Sequence, residues 1–113
     1  MSIQRSISLT LLNEYGIELP VIQIGAFWQS IGDSARTLSD LLGIATWTVG
    51  PNGDLLAGFP VKAVSLLEAV RHSGRAWSLV GQVDTSGRTV VREVLEASIV
   101  EPIGIRFNGA TRI

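Results

Sequence analysis

No cysteine occurs among the 113 residues. Disulfides, thiolate nucleophiles and zinc–thiolate sites are therefore excluded, and the redox compartment is left open. Histidine occurs once, at His72, so a catalytic triad or a histidine-containing metal site would have to use it. No run approaches the roughly 20 apolar residues of a membrane helix. The amino terminus lacks the charged region and continuous apolar stretch of a signal peptide. The expected setting is the cytoplasm, without a membrane. Gly50-Pro51-Asn52-Gly53 is glycine-rich, but no Lys-Ser or Lys-Thr follows to make it a phosphate cradle. Dinucleotide, EF-hand and zinc spacings are missing too, so no cofactor and no metal are expected. The net charge is −1 and the pI about 5.7. That balance argues against sequence-independent nucleic-acid binding, and no nucleic-acid partner is expected.

What the chain has is apolar surface. Hydrophobic residues are 46% of the sequence before its 12 glycines are added, while charged residues are only 17%, against roughly 25% in average domains. One small core cannot hide that much. Some of it should be covered by a second copy of the chain or should line a cavity. The charge is unevenly placed: residues 1–70 hold Arg5, Arg36 and Lys62 against six acids, whereas residues 71–113 hold six arginines against four.

Three similar turns punctuate the sequence: Asn13-Glu14-Tyr15-Gly16, Gly50-Pro51-Asn52-Gly53 and Asp84-Thr85-Ser86-Gly87. Each ends on a glycine, as four-residue hairpin loops do. Residues 6–12 alternate apolar and polar, and so read as a strand that pairs with residues 17–21. Pro20 places that second strand at an edge or a bulge. Phe27, Ile31, Ala35, Leu38 and Leu42 form one helical stripe between Gly25 and Gly43. Gly32 weakens its middle, so Asp33 or Ser34 is an alternative start. A second hairpin spans Ala45–Val49 and Asp54–Gly58. Pro60 then opens a second helix with Val64, Leu67 and Val70 on its buried face, and Gly74 ends it. Trp77–Val83 and Thr89–Ala97 make the third hairpin. Ile99–Phe107 is a seventh strand interrupted at Pro102. The expectation is a single α+β domain over residues 1–113, with 108–113 a loose tail. A mostly antiparallel sheet of about seven strands carries two helices on one face, in the order ββαββαβββ.

Few residues stand out as chemistry. Glu93 and Glu96 interrupt an apolar strand, where the plain reading is cross-strand pairing with Arg88 or Arg92. Arg88 and Arg92 are four apart on one strand face and, with Arg71 and Arg75, could form an anion patch. His72 sits at a helix end, where a cation suits the dipole. Trp47 and Trp77 each follow a helix and read as core. Trp28 is the best ligand or interface candidate, because Phe27 already occupies the core stripe beside it.

These residues support a non-enzymatic binding module: a homodimer or larger assembly that takes a small apolar or cationic ligand or a protein partner. Its candidate residues are Trp28, Trp47, Trp77, Arg88, Arg92 and Glu93. One alternative is a small open-cavity enzyme that uses Glu93 with His72 or an arginine. Another is a partner-blocking protein of the antitoxin or immunity kind. Eight arginines to one lysine, with few charges overall, do not resemble a designed sequence. In this style the chain resembles a product of a bacterial mobile gene cassette, the kind carried in integrons. The resemblance implies a bacterial cytoplasmic protein of unknown function, an adaptive role being one option, and transfers no site residues.

Overall fold

The computed structural model describes residues 3–84, 91–99 and 104–108. In chain order these form α1 (Ile3–Tyr15), β1 (Leu19–Ile24), β2 (Phe27–Ile31), α2 (Asp33–Leu42) and β3 (Thr46–Val49). Then come β4 (Asp54–Pro60), α3 (Val64–Arg71), β5 (Trp77–Asp84), β6 (Val91–Ala97) and β7 (Arg106–Asn108). The strands make one seven-stranded sheet in the order β3-β4-β2-β1-β5-β6-β7. Each pairing is antiparallel except that of β1 with β5. The α+β class and the mostly antiparallel sheet follow the expectation from sequence. The helices do not: among the described residues there are three, and they lie on both faces.

Successive strand residues point to opposite faces, and the two cores divide accordingly. Val21 and Leu79 join Trp28, Phe59 and Trp77 under Ala35 and Leu38 of α2 and Val70 of α3. Their chain neighbours Ile22 and Val80 join Val94 under Ile7 and Leu11 of α1. Each large apolar side chain fully buried in this way stabilises the fold by roughly 1.5–3 kcal/mol.

The first expected strand, residues 6–12, is instead the middle of α1. Ile7 and Leu11 are both fully buried and four apart, and Ile3, four before Ile7, also packs on that core. The segment therefore satisfies period two and period 3.6 at once. Length decides, because the helical stripe runs from Ile3 to Leu11 and the strand pattern does not extend that far. Gly16 is then a helix stop rather than a hairpin glycine. Its φ is +67°, and the Gly16 and Ile17 N–H groups donate to the Leu12 and Leu11 carbonyls.

The expected helix over Gly25–Gly43 splits. Phe27–Ile31 is a strand, and the helix begins at Asp33, the alternative start. Pro20 lies in β1, an interior strand rather than an edge, two residues before that strand's pairing with β2 begins. Near a strand's start a missing donor is tolerated. Pro60 closes β4 instead of opening a helix. The Val61 N–H still donates to the Ala26 carbonyl, so the chain remains extended past the proline. α3 starts at Val64, which is exposed; Val70 carries its buried face. The hairpin across Gly50–Gly53 forms as expected, and β5 pairs with β6. The turn residues Thr85–Gly87, with Arg88, Pro102 and residues 109–113, lie outside the described residues. Among the described residues the seventh strand covers Arg106–Asn108.

Candidate functional site

The split of the expected first helix reverses the roles of two aromatics. In a strand, residues 27 and 28 face opposite ways. Trp28, expected as the ligand or interface residue, is 8% exposed in the core, whereas Phe27 is 47% exposed. Trp77 is core as expected, and its indole N–H donates to the Arg71 carbonyl. Trp47 is not core: it lies on the edge strand β3 at 41% exposure.

Phe27 follows a two-residue turn, Gly25-Ala26, that joins β1 to β2. Gly25 has φ +59°, the conformation required of the first loop residue of a type II′ hairpin. Two side-chain amides clasp the turn. Gln82 accepts from the Gly25 N–H at 2.7 Å. Gln23 donates to the Gly25 carbonyl at 3.2 Å and accepts from the Gln82 N–H at 3.2 Å. The exposed ring thus stands on a backbone tied to β5, and little ordering remains when it meets a partner.

The register carries a row of residues away from Phe27 on one face of the sheet. Phe27 is opposite Ile24 on β1, Gln82 lies alongside on β5, Arg92 is opposite Gln82 on β6, and Phe107 is opposite Arg92 on β7. At about 4.8 Å per strand, Phe27 and Arg92 stand roughly 14 Å apart. On the other side of the turn, exposed Lys62 follows Val61, whose N–H bonds the turn.

Arg92 is the unusual member. It is 8% exposed, and its Nε and Nη1 have no hydrogen-bond partner among the described residues. Burial pulls its guanidinium pKa down from the usual arginine value. A buried cation without an acceptor is costly, and an anion delivered to it would recover that cost.

The remaining candidates are engaged elsewhere. A register shift between Leu79 and Val80 puts Glu93 and Glu96 on the same face, opposite Gly81 and Leu79. Glu93 meets Arg106 at 3.5 Å, rather than Arg92. Arg71 holds Glu96 through Nε and Nη2, at 2.8 and 2.9 Å, and Glu68 through Nη1 at 2.6 Å. The bond from Arg71 draws the Glu68 carboxyl below its usual pKa, and the two carboxylates raise that of Arg71. His72 Nδ1 lies 2.9 Å from the Glu68 carbonyl oxygen. Among the described residues no hydrogen bond joins His72 to Glu93, and no group of histidine, aspartate and glutamate residues could hold a metal. Arg88 lies outside the described residues, so its pairing with Arg92 in one patch is not addressed. No described helix is long and apolar enough to cross a membrane.

Against known proteins, no family profile matches the chain. It is similar to the DNA mismatch repair protein MutS of Salinibacter ruber (strain DSM 13855 / M31), with 39% identity over 97 residues. The matched region takes in 78% of this chain and 10% of the relative. The chain therefore spans about a tenth of the length of the relative it matches.

Phe27, Gln23 and Gln82 were not picked out from the sequence. Their signal was the Gly-Ala pair between two β-prone runs, Leu19–Ile24 and Phe27–Ile31. The competing helical stripe through Phe27 and Ile31 masked it.

Proposed function

We propose that the chain is a non-enzymatic DNA-binding module whose contact surface is the row from Phe27 to Arg92. The observation that carries this reading is the exposed, turn-clasped Phe27 ring in a chain similar to part of a DNA mismatch repair protein. An aromatic on a rigid turn offers a face for base stacking, worth about 1–3 kcal/mol per base. Arg92 and Lys62 flank it as phosphate contacts. The near-neutral charge narrows the reading, because few counterions can be released and the salt dependence should be shallow. Affinity then rests on stacking, which favours sites whose bases unstack at little cost, such as a mismatched pair. The test is fluorescence anisotropy with labelled duplexes, matched and singly mismatched, at low salt. Tighter binding of the mismatched duplex is expected. Phe27→Ala should weaken it about tenfold. Arg92→Leu should reduce the salt slope by about one. Failure to bind any duplex, or a Phe27→Ala variant that binds as well as the parent, would sink the reading.

A second reading, self-association, rests on β3. This edge strand is exposed along its whole length, carries Trp47 and Val49 on one face and has no charged residue. Natural sheets usually blunt such edges, and antiparallel pairing with the β3 of a second copy would cover it. Sedimentation analysis should show a dimer that Trp47→Lys dissociates; a monomer at every accessible concentration rules it out.

A further inference from the structure

A cleft of about 450 Å³ lies between α1 and the first turn of α2, well away from the Phe27 row. That volume falls within the range of small-molecule sites. Its wall is mainly apolar: Leu9 and Leu12 of α1 face it and are 41% and 48% exposed, with Ile17 and Ile31 behind them. Leu9 and Leu12 leave an apolar surface that no other described element covers. Ser8 Oγ, also on the wall, has no hydrogen-bond partner among the described residues.

The charges around the cleft settle what head group it favours. Three charged residues line it, and two of them are already matched. Arg5 is bonded to Asp54, and Glu18 meets Arg75 at 3.2 Å. The Asp33 carboxylate lines the cleft at the start of α2 with no ion pair or hydrogen bond among the described residues. The N-terminal dipole of α2 offsets part of the Asp33 charge without cancelling it, so the excess charge of the cleft is negative and lies at the start of α2. From this we infer that the cleft binds a small amphiphilic ammonium compound, with its apolar body against Leu9, Leu12, Ile17 and Ile31 and its cationic head at Asp33.

Three probes that share one apolar body test the assignment: phenylbutylamine, phenylbutanol and phenylbutyrate. Each is titrated into the full chain and followed by ¹H–¹⁵N correlation spectra. Saturable shifts are expected at residues of α1 and the first turn of α2, with the amine bound about fivefold more tightly than the alcohol and the acid weakest. Asp33→Asn should erase the preference of amine over alcohol. Leu12→Ser, at a half-exposed position, should weaken all three. Absence of saturable shifts overturns the inference. So does tightest binding of the acid, which would make the helix start an anion site, or an amine preference that survives Asp33→Asn.

Discussion

The core under α2 and α3 buries seven apolar strand residues and the core under α1 only three, and the two faces differ as well in what they leave undone. Under α2 and α3 the core is aromatic, with Trp28, Phe59 and Trp77 buried among Leu19, Val21 and Leu79. Its polar groups are satisfied: Ser30 donates to the Pro20 carbonyl, Ser34 to the Glu18 carbonyl, and the Trp77 indole to the Arg71 carbonyl. Under α1 the buried core is wholly aliphatic. Unsatisfied buried atoms gather on this side: Ser8 Oγ on α1, Ser78 Oγ between Trp77 and Leu79 but facing the other way, and Arg92 Nε and Nη1. The row from Phe27 to Arg92 belongs to it as well, and the cleft beside Leu9 and Leu12 opens at its margin with α2. A face whose hydrogen bonds close on themselves serves structure. A face that retains orphan donors beside exposed apolar groups keeps chemistry available for a partner.

Adjacent residues give the sharpest test of this contrast. Trp28→Ala should cost about 3–5 kcal/mol of unfolding free energy, measured by urea denaturation. A loss below about 1 kcal/mol would remove Trp28 from the core. Next in size is Gly58→Ala. A Cβ on Gly58 would sit 2.6 Å from the Trp28 carbonyl oxygen, and that backbone cannot move freely, so a loss of about 1–3 kcal/mol is expected in the same assay.

Arg92→Leu tests the opposite sign. Removing a buried, unpartnered charge while keeping apolar volume should leave stability unchanged or raise it by about 1 kcal/mol. A large loss would mean that the guanidinium is satisfied after all. On the structural face, Arg71→Met should be mildly destabilising near neutral pH. The bond from Arg71 holds the folded Glu68 carboxyl below the usual carboxylate pKa. Its contribution is therefore complete above that value and is lost as pH falls through the lower folded pKa. The difference between parent and Arg71→Met should shrink as pH falls below the usual carboxylate range, a trend that denaturation curves across pH can check. Smallest of all is Phe27→Ala, which should alter stability by no more than about 0.5 kcal/mol while weakening DNA binding. A large stability loss there would make Phe27 structural and erase the contrast between the faces.

Several elements could be read directly from residue order because their signals are local. The Gly50–Gly53 hairpin, the helix start at Asp33, the glycine stop at Gly43 and the strand at Trp77 depend on turn chemistry and on contacts a few residues away. The α+β class followed from the same signals, whereas the strand count agrees only because the strand expected over residues 6–12 is helical and Phe27–Ile31, expected to be helical, is a strand. Residues 3–15 and 27–31 were ambiguous for a physical reason. Ile7, Leu9 and Leu11 fit period two, while Ile3, Ile7 and Leu11 fit a helix. Phe27 and Ile31 fit a helical stripe as well as a strand. Such ties are broken by which face the rest of the chain leaves to be covered.

The candidate site was less legible still. That Arg92 is buried without an acceptor, that Phe27 rather than Trp28 faces outward, and that Asp33 meets Leu9 across a cleft all depend on strand order and register. Composition and spacing were enough to exclude thiol, phosphate-loop and dinucleotide chemistry and to show an excess of apolar surface. Where that excess lies was set by packing, because a one-residue change of face turns a core residue into a contact residue.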